Sequence, residues 1–282
     1  MRRRALLLLA PLALLPTLAH AAPSGPQPVL VVLPGEAHAA LLGVWAGGRW
    51  LEGGEAAGRV RGGEGYRVQA LGGGVTDARG ARARSFGVPC PDASHVALSP
   101  PPRLTTFAVA TTATSRARPR PVTVLPTTGA VYRAAVRDEL VSRGLRAPAV
   151  NLTRVVRADL DGNGTDEVIV EARRFAEGSG LYPPPSGQPG DYSLLLLRHV
   201  AGNRVQTTVL GAYVALRARD PNSPDFGPLA HVYALAGVAD LNGDGRMEVL
   251  TFGAYYEGYA LTASEWTPQA GLRTRLETGC GA

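Results

Sequence analysis

The stretch Asp159–Val168, DLDGNGTDEV, returns in altered form at Asp240–Val249, DLNGDGRMEV. In both, oxygen-bearing side chains occupy the first, third, fifth and ninth places: Asp159, Asp161, Asn163 and Glu167, then Asp240, Asn242, Asp244 and Glu248. Glycines hold the fourth and sixth places, Gly162 and Gly164, then Gly243 and Gly245. A hard cation such as Ca²⁺ takes six to eight oxygens from a tightly curled backbone. Alternate side chains supply the oxygens, and glycine lets the chain turn through positive φ without Cβ strain. The seventh residue, Thr165 or Arg246, would lend its main-chain carbonyl, so its side chain is free to vary, and it does. The competing reading is that Asn-Gly and Asp-Gly merely mark hairpin turns. Two copies with like charges crowded at alternate places argue against it, because such carboxylates repel one another unless a cation sits among them. The expectation is two Ca²⁺ sites. Mg²⁺ rarely accepts an all-protein cage.

The flanks decide which kind of loop this is. An EF-hand closes with a bidentate Glu at position twelve and continues as helix. Position twelve here is Val170 or Thr251, and the following VIVEARRF and VLTFGAYY are β-branched and aromatic, which reads as strand. Strand–acidic loop–strand with a ligand set closing at position nine resembles the calcium loops of FG-GAP and VCBS-type repeats, over about residues 150–280. Dockerin-like loops also use position twelve and lie closer together. The resemblance implies calcium-binding β-repeat units, known from integrin-like propellers and secreted bacterial proteins, and leaves the function open.

Read outward, the first unit (about 150–210) runs strand, acidic loop, strand, loop, strand, turn at Gly202, strand; the second (about 231–280) runs the same way, with a turn near Gly271. Each is expected to be a four-stranded antiparallel, blade-like sheet. Two blades do not close a propeller, which takes at least four. Either N-terminal strands supply degenerate blades or the two units pack face to face; the lack of a third acidic loop favours the second. Ahead of them, Tyr132, Val136 and Leu140 recur at helical spacing, predicting a covering helix over about 128–143, capped by Thr127 or Thr128, with Gly144 at C′.

Residues 22–105 predict a small β domain: a strand at Val29–Leu33, a hairpin over Leu41–Glu52 around Gly47-Gly48, and a strand GYRVQAL. Trp45 and Trp50 on the hairpin arms read as core, or as a ligand platform. Residues 106–127 are expected as a linker or a strand with a mobile edge. The overall class is mainly β.

Residues 1–21 combine Arg2–Arg4, an apolar run Ala5–Leu18 and Ala19-His20-Ala21, the pattern of a secretory signal peptide cleaved after Ala21; a retained anchor is the lesser reading. A secreted or periplasmic chain without a further membrane span is expected. Of the formal net charge of +6, half comes from that segment, and every basic residue is Arg. The groups Arg79, Arg82, Arg84 and Arg116, Arg118, Arg120 lack interleaved aromatics and read as solvated loop, which argues against nucleic-acid binding. Cys90 and Cys280 are a candidate disulfide in an oxidising compartment; two unrelated thiols are the alternative.

No zinc-hydrolase, nucleophile-elbow or phosphate-loop pattern is present. The alternative of a secreted hydrolase rests on Glu177 and Glu257, at matching places in the two units, acting as an acid pair. The leading expectation is an exported calcium-binding protein with a binding or envelope-structural role, its partner a protein or glycan of the cell envelope. Tyr182 in a proline-rich loop and Phe226 in RDPNSPDFGP are candidate contact residues.

Overall fold

In the computed structural model, residues 25–178, 180–219, 222 and 229–281 are described. The expected signal segment 1–21 and Phe226 lie outside them.

The apolar run after Pro28 forms β1 (Gln27–Val32), which pairs antiparallel with β2 (His38–Ala46). A Gly47-Gly48 turn, both at positive φ, leads to β3 (Arg49–Leu51), giving the expected hairpin. The short α1 (Gly53–Ala57), β4 (Gly65–Ala70), β5 (Val75–Gly80), β6 (Arg84–Ser85), β7 (Ser94–Ser99) and β8 (Ala108–Thr112) follow. Because β2 also pairs with β7, the strands β1, β2, β7, β5, β4 and β8 close into a six-stranded antiparallel barrel, with β3 and β6 at its margin. Leu30, Val32, Leu41, Tyr66, Val68 and Val96 fill the barrel. A barrel this small is packed by its own side chains.

Residues 106–127 are therefore not a linker throughout. Ala108–Thr112 is β8, hydrogen-bonded on both sides to β1 and β4. Val122–Leu125 is β9, which pairs with β10 (Leu152–Ala158). With β11 (Glu167–Arg174), β12 (Tyr192–Ala201) and β13 (Arg204–Val214) it makes a five-stranded meander in the order β13-β12-β11-β10-β9, one strand more than expected. The last sheet is the four-stranded meander β14 (Val232–Ala239), β15 (Glu248–Tyr255), β16 (Gly258–Thr267) and β17 (Gly271–Gly281).

The layers follow from which faces are apolar. Val29, Val31, Leu42 and Val109 point out of the barrel onto Leu250, Phe252, Leu261 and Leu276 of the four-stranded sheet. The opposite face of that sheet, with Leu235, Val238, Val249 and Trp266, packs on Val156, Ile169, Leu195 and Leu197 of the five-stranded sheet. The far face of the five-stranded sheet, with Val155, Val170, Leu194 and Leu196, takes Val136 and Leu140 of α2 (Ala130–Ser142). The stack is barrel, sheet, sheet, helix. Strands buried on both faces read as unbroken apolar runs rather than alternating ones, as SLLLL in β12 does.

α2 starts later than expected. Its N-cap is Gly129, with no side-chain cap from Thr127 or Thr128. Its end is as expected: Gly144 at φ 103° lets Leu145 N–H reach the Leu140 carbonyl (3.0 Å) and Gly144 N–H the Val141 carbonyl (2.9 Å), the paired bonds of a Schellman motif. Cys90, in the β6–β7 connection, and Cys280, on β17, form a disulfide with Cα atoms 5.4 Å apart, tying the barrel to the last strand. No helix among the described residues is long and apolar enough to cross a membrane.

Candidate metal centre

Both acidic decapeptides join two neighbouring antiparallel strands, β10 to β11 and β14 to β15. They share one hydrogen-bond pattern. Asp159 Oδ1 accepts from Gly162 N–H (2.8 Å) and Oδ2 from Gly164 N–H (3.1 Å); Asp240 does the same with Gly243 (2.7 Å) and Gly245 (2.9 Å). Asp161 Oδ1 accepts from Asn163 N–H and Asn242 Oδ1 from Asp244 N–H. Asn163 Oδ1 accepts from Thr165 N–H (2.7 Å) and Asp244 Oδ1 from Arg246 N–H (2.8 Å). At the ninth place, Glu167 Oε2 and Glu248 Oε2 each accept from the N–H of the second-place leucine, Leu160 or Leu241, at 2.9 Å. All four glycines have φ between 77° and 89°. The curled backbone that the spacing predicts is present in both copies.

The side chains converge more tightly in the first loop. Asp159, Asp161 and Glu167 each bring a carboxylate oxygen within 4.8 Å of the others. Asp166 is drawn off by Arg157 at 3.1 Å and takes no part. In the second loop the third place is an amide, Asn242, and among the described residues Asp240, Asp244 and Glu248 do not form such a cluster. Arg246 turns its guanidinium to Glu265 (3.0 Å).

Burial and neighbouring carboxylates set the electrostatics of both loops. Glu248 is fully buried, and its Oε1 has no hydrogen-bond partner. Burial, and then the nearby Asp244 and Asp240 carboxylates, push its pKa up to about 8, against the pull of the Leu241 N–H. Glu167 is pushed up to about 7 by burial, with Asp161 and Asp159 adding to the shift. Burial likewise raises Asp240. Buried carboxylates with an open oxygen are costly unless a proton or cation joins them. An oxygen donor set of this kind fits a hard divalent cation. Asp159, Asp161, Asn163 and Glu167 would hold one such ion, and Asp240, Asn242, Asp244 and Glu248 another.

Leu160, Leu241 and Arg120 contribute to the loops although they lie outside the alternating pattern of oxygens. Leu160 and Leu241, in the second place of each loop, are buried plugs, one in each of two different cores. Their identity in the two copies is the signal that marks them. The two loops touch through Met247 N–H, which donates to the Leu160 carbonyl (2.8 Å), and Asp240 N–H donates to the carbonyl of Ala117 in the β8–β9 connection (2.7 Å). Arg120 donates to the carbonyls of Asp159 (2.7 Å) and Leu160 (3.1 Å), and its guanidinium offsets part of the first loop's charge. Arg118 donates to the Ala70 carbonyl at 3.1 Å. Arg118 and Arg120 are thus half-buried anchors rather than solvated loop residues.

Glu177 and Glu257 are both exposed, in the turns after β11 and after β15, in different sheets. Tyr182 is 41 % exposed, with its ring edge against Phe252. Its loop is anchored: Leu181 packs on the barrel–sheet core, and the buried Asp191 accepts from Ala176 N–H (2.7 Å) and Gln188 N–H (2.8 Å). A cleft of about 580 Å³ lies beside the disulfide and is lined by His231, Tyr233 and Tyr255, at the end of the four-stranded sheet away from the acidic loops. No protein-family model, curated protein or solved structure matches the chain.

Proposed function

We propose that the chain is an exported β protein in which two Ca²⁺ ions, one per acidic loop, lock neighbouring strands in register, and that it serves a binding or envelope-structural role. The observation that carries this is the buried Glu248 carboxylate with an unpartnered oxygen beside Asp240 and Asp244. A divalent ion would compensate that charge and convert a destabilising loop into a clamp. The equivalent hydrogen bonds in both loops support reading them as two copies of one FG-GAP/VCBS-like unit, stacked face to face instead of closed into a ring. The disulfide is compatible with an oxidising location outside the cytoplasm.

Where calcium is plentiful, sites with Kd of order 10⁻⁴–10⁻³ M suffice. An ion at a concentration ~100-fold above Kd adds about 2.7 kcal/mol per site. Thermal melts of the wild-type protein and of Asp159→Ala and Asp240→Ala, each in calcium and in EDTA, test the reading. A calcium-dependent rise in melting temperature, reduced by each change, supports it. Identical melts in calcium and EDTA overturn it.

A further inference from the structure

We propose that the cleft between the β2–β3 hairpin and the second acidic loop binds a neutral saccharide. This names a ligand for the binding role proposed above. Asn242 and Asp244 of the second acidic loop line the cleft, while the Trp45, Trp50, Arg246, Glu265 and Arg275 side chains that form its two walls lie outside the ion's donor set.

The cavity measures about 420 Å³, within the range of small-ligand pockets. One wall is aromatic. Trp45 and Trp50 are paired across the hairpin, ring centroids 4.8 Å apart and planes at 58°. Both are half-buried, and Trp45 belongs to none of the apolar core clusters among the described residues. Core packing therefore does not account for Trp45. The hairpin is fixed where it stands: Glu52 accepts from Glu277 N–H at 2.6 Å, and Leu276 of β17 packs against Gly43 of β2.

The opposite wall is polar and already paired. Glu265 Oε1 accepts from Arg246 (3.0 Å), and its Oε2 from Arg275 through both Nε (3.0 Å) and Nη2 (2.6 Å). Arg49, on the hairpin, is bonded to Glu55. Glu265 and Glu55 balance two of the three guanidiniums of Arg49, Arg246 and Arg275, and the second acidic loop, three carboxylates around one proposed Ca²⁺, keeps a single negative charge that balances the third, so no net charge is left for an anion or a cation. What remains is a set of planar, forked donors and acceptors held rigid by one another, facing an aromatic surface. A sugar ring matches both walls. Its C–H face lies on an indole, and its hydroxyls both give and accept hydrogen bonds at the rim. A peptide would need a longer groove, and an aromatic hydrocarbon would strand the polar wall.

The test is a titration of tryptophan fluorescence with a panel of neutral mono- and disaccharides, and with a sulfated polysaccharide as the charged control. Trp266 is buried between the sheets, so the change reports the hairpin pair. The expected result is a saturable response to at least one neutral sugar, retained by Trp45→Phe and weakened about tenfold or more by Trp45→Ala. No response from the wild-type protein to any neutral sugar overturns the proposal, as does a response confined to the sulfated chain. Full-strength binding by a folded Trp45→Ala variant overturns it too. The titration is run in calcium and in EDTA alongside melting curves. A failed calcium reading then appears as identical melts, separately from the sugar response.

Discussion

Glu248 is the residue on which the calcium proposal turns, through one oxygen atom. Were the second decapeptide only a hairpin turn, a fully buried acid with an unpaired Oε1 would be pure cost. Glu248→Gln removes the charge and keeps the shape. In EDTA it should melt at or above the wild-type temperature. In calcium it should lose the stabilisation of that site, about 2–3 kcal/mol at saturating ion. Chemical denaturation with and without calcium measures both halves, and a variant equally destabilised in both conditions argues for simple packing. The spacing of acids and glycines made the loops legible from sequence because each ligand is local. Arg120 was not legible, since its partners lie far along the chain and only the fold brings them to it. Two histidines set a pH dependence. Burial lowers the pKa of His95, with His38 and Arg84 adding, and burial alone lowers that of His199. Each has an Nδ1 without a partner, so charging adds an unsatisfied donor. A depressed histidine favours the neutral ring in the fold. Its stability is present above the unfolded value of 6.5 and lost as pH falls below it. In calcium, where the proposed ions keep Glu167 and Glu248 ionised against their raised pKa values, the melting temperature should drop between about pH 7 and pH 5. The double change His95→Phe and His199→Phe, which keeps the ring contacts with Phe86 and Trp266, should flatten the drop. An unchanged slope would contradict the assignment.

At the scale of elements, strands flanking the loops were readable because β-branched and aromatic runs sit next to strong turn signals. β8 and β9 were not. AVATT in β8 is buried on nearly every residue, so it shows no alternation, and its small side chains mimic a flexible connector. β9 is four residues long and follows a proline-rich segment. β5 was hidden for the opposite reason, since VTDARG faces solvent at four of its six positions. The disulfide was readable only as a possibility, since two cysteines permit one bridge but do not require it. It fastens β17, the last strand of the central sheet, to the barrel across a separation of 190 residues. Chain-entropy arguments put the worth of so long a loop at no more than about 5 kcal/mol. Cys90→Ser with Cys280→Ser should lower unfolding free energy by about 2–5 kcal/mol. It should also speed amide exchange along β17 first. Exchange that accelerates uniformly instead would mean that the bridge does not act through that strand.

On the scale of the whole molecule, the four-stranded sheet is the shared layer, covered by the barrel on one side and the five-stranded sheet on the other. Periodicity marks a strand as doubly buried, but it does not say which element supplies the cover. That is why the N-terminal barrel read as a separate small domain. The close approach is made at Gly237, where an added Cβ would run into Val109 of the barrel. Gly237→Ala should therefore destabilise barrel and sheet together by about 1–3 kcal/mol, in one cooperative transition. Two separated transitions would show that the layers unfold independently. The two proposed ion sites lie at the same end of the two inner sheets, where Met247 and Leu160 join the loops directly. The central claim is the pair of Ca²⁺ sites, and equilibrium dialysis of the purified chain against radioactive calcium counts them. Two ions per chain with sub-millimolar to millimolar affinity, falling to one on Asp159→Ala or Asp240→Ala, is the predicted result; no bound calcium at millimolar concentration would contradict it.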